Sequence, residues 1–480
     1  MRSTVKTSFL RLAVMAPVLA IIALPVSSFA SHDDAPFPRY ESRRLESGLK
    51  VIVHEDHELP VVRFELMIRA GSVDDPVGKE GLAAFTAATL TEGTDTRSAI
   101  QIAETIDFVG GSLGADAGYD AAYLSCQVLK KDFELGLELL SDIILHPSFP
   151  EAEVERQRSQ IVTEIIGDKD QKSTIADHHF QEVLFGNHPY AHPAIGSMES
   201  IQTITRDDIV RFYETYFRPN ISTIVIAGDV DRESAVSRLE AALGEWKSAI
   251  LPAAEAPEPV DPIGYRIRLV NKPDVTQSEI RIGYIGIARK DPRYFPLLLM
   301  NYVLGAGSFS SRLTQAVRAD RGLTYGIYSH LGARLRTGPF TISTFTRTET
   351  TLETIRVILD EVERMRGGGI TAKELEDAQA RYIGGFPLSL ETSSQVSQKI
   401  LEAELYDLGE DYLTRYTAAI DGVGLAEVNA VASEFLRDNN LVIVVVGNAE
   451  QLRDDLKSLG EVEEVFYLEL EGEIPHMHEH

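Results

Sequence analysis

"RPNISTIVIAGD" (Arg218–Asp229) and "RDNNLVIVVVGN" (Arg437–Asn448) decide the fold. Each is a short polar turn, then an unbroken β-branched run, then a glycine, which is the pattern of a strand buried on both faces. Gly228 and Gly447 lie 219 residues apart, close to half the chain. A second pair keeps the same order: "FPEAEVERQRSQIV" (Phe149–Val162) and "ITAKELEDAQARYI" (Ile370–Ile383) each open a helix after a turn. Two matches in one order point to a duplicated unit. Between the copies, "LPAAEAPEPVDP" (Leu251–Pro262) carries prolines that neither a helix nor a central strand tolerates, so it reads as a linker.

Within a unit, strands and helices are mixed. "VVRFELMIRAGS" (Val61–Ser72) alternates, with Val62, Phe64, Leu66 and Ile68 on one face and Arg63, Glu65 and Arg69 on the other, as in a half-buried antiparallel strand. "KKDFELGLELLSDIIL" (Lys130–Leu145) repeats apolar residues three and four apart, as an amphipathic helix does. The fold class is therefore α+β: two homologous α/β half-units, each an antiparallel sheet covered by helices. The expected boundaries are a signal peptide over 1–30, a first unit over 31–250, the linker over 251–262, a second unit over 263–470 and a tail over 471–480.

The signal reading rests on Arg2, Lys6 and Arg11 ahead of the apolar run Leu12–Leu24, followed by the small residues Ser28 and Ala30. It implies a periplasmic or secreted protein with no membrane attachment after cleavage. The formal charge of −27 becomes −30 once those three positive charges are removed. Such a surface repels nucleic acid and anionic lipid and favours basic partners. Cys126 is the one cysteine, so no intrachain disulfide forms and packing carries the stability.

Four segments together resemble the pitrilysin/insulinase family of zinc peptidases, which includes the mitochondrial processing peptidase. They are "SGLKVIVHEDHELPVVRFELMIRAGSVDD" (Ser47–Asp75), "GKEGLAAF" with "TEGT" (Gly78–Thr94), "FGNHPYAHPAIGSMESI" (Phe185–Ile201) and "LGAGSFSSRLTQAVRADRGLTYGIYS" (Leu304–Ser329). The resemblance implies a half-shell that pairs with a second chain, like a clam-shell. In active members an H-x-x-E-H helix follows the G-L-A sequence; its histidines hold zinc, its glutamate is the general base, and a later glutamate is the third ligand. Here Ala84 and Ala88 stand at the histidine positions and Ala87 at that of the base. Glu164, 76 residues beyond Ala88, occupies the leftover ligand position. A catalytic zinc needs three protein ligands and an open position, so this chain is expected to bind no metal and to be inactive alone.

The tail "HMHEH" (His476–His480) spells H-x-x-E-H again. It follows Pro475 and ends the sequence, whereas an isolated helix needs roughly 12–15 residues to persist; coincidence is the reading. His178, His179, His188 and His192 are dense enough to suggest a metal, but the prolines of "NHPYAHP" mark turns, and in the family the resembling loop is structural.

In the second half, Arg318 and Tyr325 match the Arg/Tyr pair that family members direct at substrate across the chamber; the spacing favours Arg318 over Arg321. Gly305, Gly307 and Ser308 fall in the glycine-rich segment, which lacks a phosphate-loop signature and by resemblance lies near peptide. The expected function is a non-catalytic, substrate-binding subunit of a heterodimeric zinc peptidase acting on unfolded peptides, basic ones by preference. Zinc would sit in an H-x-x-E-H-bearing paralogous partner, with Arg318 and Tyr325 acting in trans. The rivals are a peptide-binding or scaffold pseudopeptidase and a self-sufficient peptidase with another site.

Overall fold

The structure, a computed structural model, describes Phe37 and residues 40–252, 258–261 and 263–467. The signal segment and the His476–His480 tail lie outside the described residues, which all fall in one compact unit.

Two six-stranded sheets form its frame. The strands of the first are β1 (Glu41–Arg44), β2 (Lys50–Glu55), β3 (Val61–Ile68), β4 (Ser112–Ala117), β5 (Ala122–Leu129) and β6 (Ser222–Gly228), in the order β1-β2-β6-β3-β5-β4. The second comprises β7 (Arg266–Asn271), β8 (Gln277–Ile285), β9 (Ile327–Leu331), β10 (Pro339–Arg347), β11 (Val442–Gly447) and β12 (Val462–Phe466), ordered β12-β7-β11-β8-β10-β9. The duplicated runs are β6 and β11, and both are buried along their whole length. β6 is inserted between β2 and β3, and β11 between β7 and β8.

That insertion corrects the expectation of antiparallel sheets. β6 runs antiparallel to β3, with Val62 opposite Gly228, but parallel to β2, with Lys50 opposite Thr223. β11 does the same between β8 and β7, and β12 adds a second parallel pair to β7. The sheets are mixed. Alternation along a strand reports its faces and not its direction, so the sequence pattern could not separate the two. The duplication spans five strands of each sheet. The sixth comes from opposite ends of the described chain: β1 precedes β2 and pairs antiparallel, whereas β12 follows β11 and pairs parallel.

Five helices position the features below: α1 (Leu82–Thr89), α2 (Glu151–Asp168), α3 (Lys172–Phe185), α4 (Ala372–Gly385) and α5 (Ser393–Leu405). One face of each sheet carries its own half's helices. Phe64, Leu66, Ile224 and Ile226 pack with Phe85 of α1 and Ile161 of α2. The opposite faces are covered by exchange. Met67, Val225 and Ala227 of the first sheet meet Val396, Ile400 and Leu401 of α5, from the second half. Val442, Val444 and Val446 of the second sheet meet Ile175, Phe180 and Leu184 of α3, from the first. The period-two alternation of β6 and β11 thus serves two cores, one local and one borrowed. Burying each such aliphatic side chain is worth about 1.5–3 kcal/mol, so neither sheet is finished without the other half's helix. The polar face of β3 is likewise covered: Glu65 is buried and accepts from Arg63 Nε at 2.6 Å.

Candidate functional site

The helix α1 enters through a close crossing of two loops. Gly81 has φ +94°, and a Cβ there would come within 2.5 Å of the Ile195 carbonyl oxygen. Gly196 has φ +85°, and its Cβ would lie 2.2 Å from the Glu80 carbonyl oxygen. Only glycine fits either place. Ser200 Oγ donates to the same Glu80 carbonyl at 2.7 Å, and the Asp75 carboxylate accepts from the N–H groups of Gly81 and Ala83 at 2.8 Å each. The helix start is therefore held as firmly as a catalytic helix requires, though it carries no catalytic group. Ala87 is fully buried, and Ala84 and Ala88 are half-buried. Glu164 stands exposed on α2, which packs across α1. Methyl groups offer no lone pair, and one carboxylate is not a zinc site. Among the described residues no three His, Cys, Asp or Glu side chains are grouped to hold a metal. Zinc does not fit these residues.

His188 and His179 have structural partners. His188 Nδ1 accepts from the Tyr190 N–H at 3.0 Å, capping the turn Pro189–Ala191. Burial, together with the charge of Arg336, pulls His188 from its usual 6.5 down to about 4, so it is neutral. Tyr190 is fully buried and donates to Asp120 at 2.5 Å; its oxygen accepts the Arg336 N–H at 3.3 Å, joining this loop to the second half. His179 is buried between Glu182 and Arg268. His178 and His192 border a mainly apolar cleft of about 370 Å³ walled by Ile175, Ile195 and Met198, and burial lowers the His178 pKa.

In the second half, the glycine-rich segment begins inside one π turn, Tyr302–Ala306, which holds Gly305, and leads toward a second, Thr314–Ala319. Such wide turns are uncommon and cluster at functional sites. Gly305 and Gly307 are buried: a Cβ on Gly305 would meet Ser329 Oγ at 2.5 Å and one on Gly307 the Tyr302 carbonyl oxygen at 2.7 Å. Close packing explains these glycines, while Ala306, Ser308 (at φ +53°), Phe309 and Ser310 are exposed to solvent. The Arg318 guanidinium lies over the Phe309 ring, 4.6 Å from its centroid. Tyr325 is 81 % exposed, and its hydroxyl has no hydrogen-bond partner among the described residues. Arg321 is occupied by the Ala316 carbonyl at 3.0 Å, which leaves Arg318 as the available guanidinium. Sequence reasoning missed Phe309; a large aromatic between serines in a glycine-rich loop was its signal.

The family description "Insulinase (Peptidase family M16)" matches residues 50–197, and "Peptidase M16 inactive domain" matches residues 203–382. An uncharacterized zinc protease of Mycobacterium tuberculosis (strain H37Rv) is 30% identical over 424 residues, covering 86% of this chain and 95% of its own. The chain belongs to the insulinase (M16) family. A non-peptidase homolog from Helicobacter pylori is 25% identical over 413 residues, 85% of this chain and 93% of that one. The crystal structure of a peptidase M16 inactive domain from Pseudomonas fluorescens superposes with a TM-score of 0.80 at 28% identity, covering 85% of this chain and 98% of the other. Within the family this member is inactive at the zinc motif: the helix persists and its three chemical side chains are gone.

Proposed function

We propose that this M16 chain is the non-catalytic, substrate-binding subunit of a two-chain zinc peptidase. A relative bearing H-x-x-E-H holds the zinc, and this chain contributes Arg318 and Tyr325 to the shared chamber. The observation that carries the reading is the pairing of a spent helix with an unspent tyrosine. Ala84, Ala87 and Ala88 offer neither metal ligand nor base, while the Tyr325 side chain is exposed and its hydroxyl has no partner among the described residues. A phenol so placed donates to the carbonyl oxygen that becomes an oxyanion when water adds to a peptide bond. Arg318, steadied on Phe309, holds peptide carbonyls through its several N–H donors. Ser308 and Phe309 add a contact beside them. The N-terminal segment supports a periplasmic or secreted setting, and the charge of −27 supports a preference for basic, unfolded peptides.

The test is hydrolysis of a long fluorogenic peptide by the chain alone and after mixing with the H-x-x-E-H relative. The chain alone gives none, and the pair gives chelator-sensitive cleavage. Tyr325→Phe in the pair lowers kcat/KM by about 10²–10³, as expected for losing one oxyanion donor. Chelator-sensitive cleavage by the chain alone would overturn the inactive reading. Full activity of the Tyr325→Phe pair would overturn the site assignment. A chain that captures peptide but activates no relative would be a scaffold.

A further inference from the structure

The second half holds a solvent-open cavity of about 310 Å³ between α4, α5 and the π turn Tyr302–Ala306. Its lining is cationic in a chain whose formal charge is −27: Arg289, Arg381 and Lys399 reach it, against Glu402 alone. Arg289 is buried and committed, donating to the Tyr412 hydroxyl at 2.5 Å and lying over Tyr294 at 3.7 Å. Glu402 is shared by Lys399 at 2.8 Å and Arg289 at 3.4 Å. Arg381, exposed at the cavity mouth, has neither ion pair nor hydrogen bond among the described residues.

Around it stand Tyr294, Tyr302, Tyr382 and Tyr416, whose hydroxyls likewise find no hydrogen-bond partner among the described residues. Burial pushes the phenols of Tyr294, Tyr382 and Tyr416 upward, so all remain donors at neutral pH. The place in the fold is telling. The matching helix starts at Phe149 and Ile370 put Gly385 of α4 where α2 carries Glu164, so this cavity is the second half's counterpart of the lost zinc site. A Cβ on Gly385 would lie 2.5 Å from Arg381 Nη1; the absent side chain is what lets the guanidinium fold back over the helix.

We propose that this cavity binds a monoanionic carboxylate carried on an aromatic or apolar body, with Arg381 as its ion pair and the tyrosine hydroxyls as additional donors. A guanidinium matches the two oxygens of a carboxylate with parallel N–H groups. Arg289 and Lys399 share Glu402, so Arg381 is the one cation of the lining without a partner among the described residues, and a single carboxylate suffices to pair it. The aromatic wall, with Phe386 stacked on Tyr416 at 4.5 Å, accepts the body. Such an acid comes free or as the C-terminus of a peptide.

Calorimetric titration of the whole chain, with no partner or zinc, tests this independently of the proposed subunit role. The probes are N-acetylphenylalanine, its amide, inorganic phosphate, and an octapeptide ending in phenylalanine as acid or amide. N-acetylphenylalanine binds saturably. Its amide, and the acid on Arg381→Gln, bind about tenfold or more weakly, the effect of losing a charge-assisted hydrogen bond. Arg381→Lys recovers part of the loss. Gly385→Ala weakens binding without lowering Tm, which a purely structural glycine would not do. Binding of the peptide acid assigns the site to peptide termini; binding of the small acid alone assigns it to free acids. Equal binding of acid and amide, an unaffected Arg381→Gln, displacement by equimolar phosphate, or no saturable binding at millimolar concentration would each overturn the proposal.

Discussion

Replacing Ile400 by alanine should loosen the half of the molecule that does not contain it. Ile400 is on α5 in the second half, is fully buried, and packs with Ile52, Met67 and Val225 of the first sheet. Removing a buried isoleucine to alanine costs about 2–5 kcal/mol, and a rigid sheet opposite a helix cannot collapse to fill the gap, so about 3–4 kcal/mol is expected here. Against a typical total of about 5–15 kcal/mol this is a large loss. Where protection is limited by global opening, it corresponds to roughly 10²–10³ faster amide exchange. The assay is hydrogen exchange read by mass spectrometry over Ser222–Gly228, β6, with a parallel urea titration. The urea curve should keep a single transition and an unchanged m value, because the two halves share both borrowed cores. Phe180→Ala on α3 should deprotect Val442–Gly447 in the same way. If Ile400→Ala speeds exchange only within the second half and leaves β6 as protected as before, the interlocking argument fails.

Three further outcomes follow from single sites. His188 is neutral in the fold because burial holds it near 4 against its usual 6.5, so its contribution is complete above pH 6.5 and is lost as pH falls to about 4. That loss reaches about 3 kcal/mol, and His188→Asn, which keeps an N-cap acceptor without a titrating ring, should flatten the slope of denaturation midpoint against pH in that window. Gly196→Ala must place a Cβ 2.2 Å from a backbone oxygen at φ +85° and should cost at least about 2 kcal/mol by urea denaturation. Burial pushes the Cys126 thiol up to about 12, so iodoacetamide at pH 8 should leave it unlabelled in the native protein and modify it readily in urea.

How much of this was written in the sequence differs from feature to feature. The duplication was legible because β6 and β11 are buried on both faces and so are apolar without interruption. The borrowed helices were not. The apolar stripe of α5, with Val396, Ile400 and Leu401, is the same stripe whichever sheet it covers, and nothing local encodes the address. Strand direction was hidden for a related reason, since β2 reads identically whether its neighbour runs with it or against it. At the site, the loss of chemistry was legible, because three alanines at ligand and base positions leave nothing to coordinate. The exposed Arg318–Phe309 stack and the free guanidinium of Arg381 were not, because both arise from π turns and a glycine whose effect is on side-chain placement.

The exchanged helices also constrain the order in which the molecule can be made. A chain synthesised from its N-terminus completes every strand of the first sheet by Gly228, yet the helix that covers the sheet's second face ends at Leu405. For the intervening stretch of translation, Met67, Val225 and Ala227 lack the α5 side chains that complete their cover. The first half is therefore a client for whatever shields nascent apolar surface, and its maturation waits on the distal half. A truncation that stops before residue 393 would remove more than a domain: it would leave the upstream sheet permanently half-dressed.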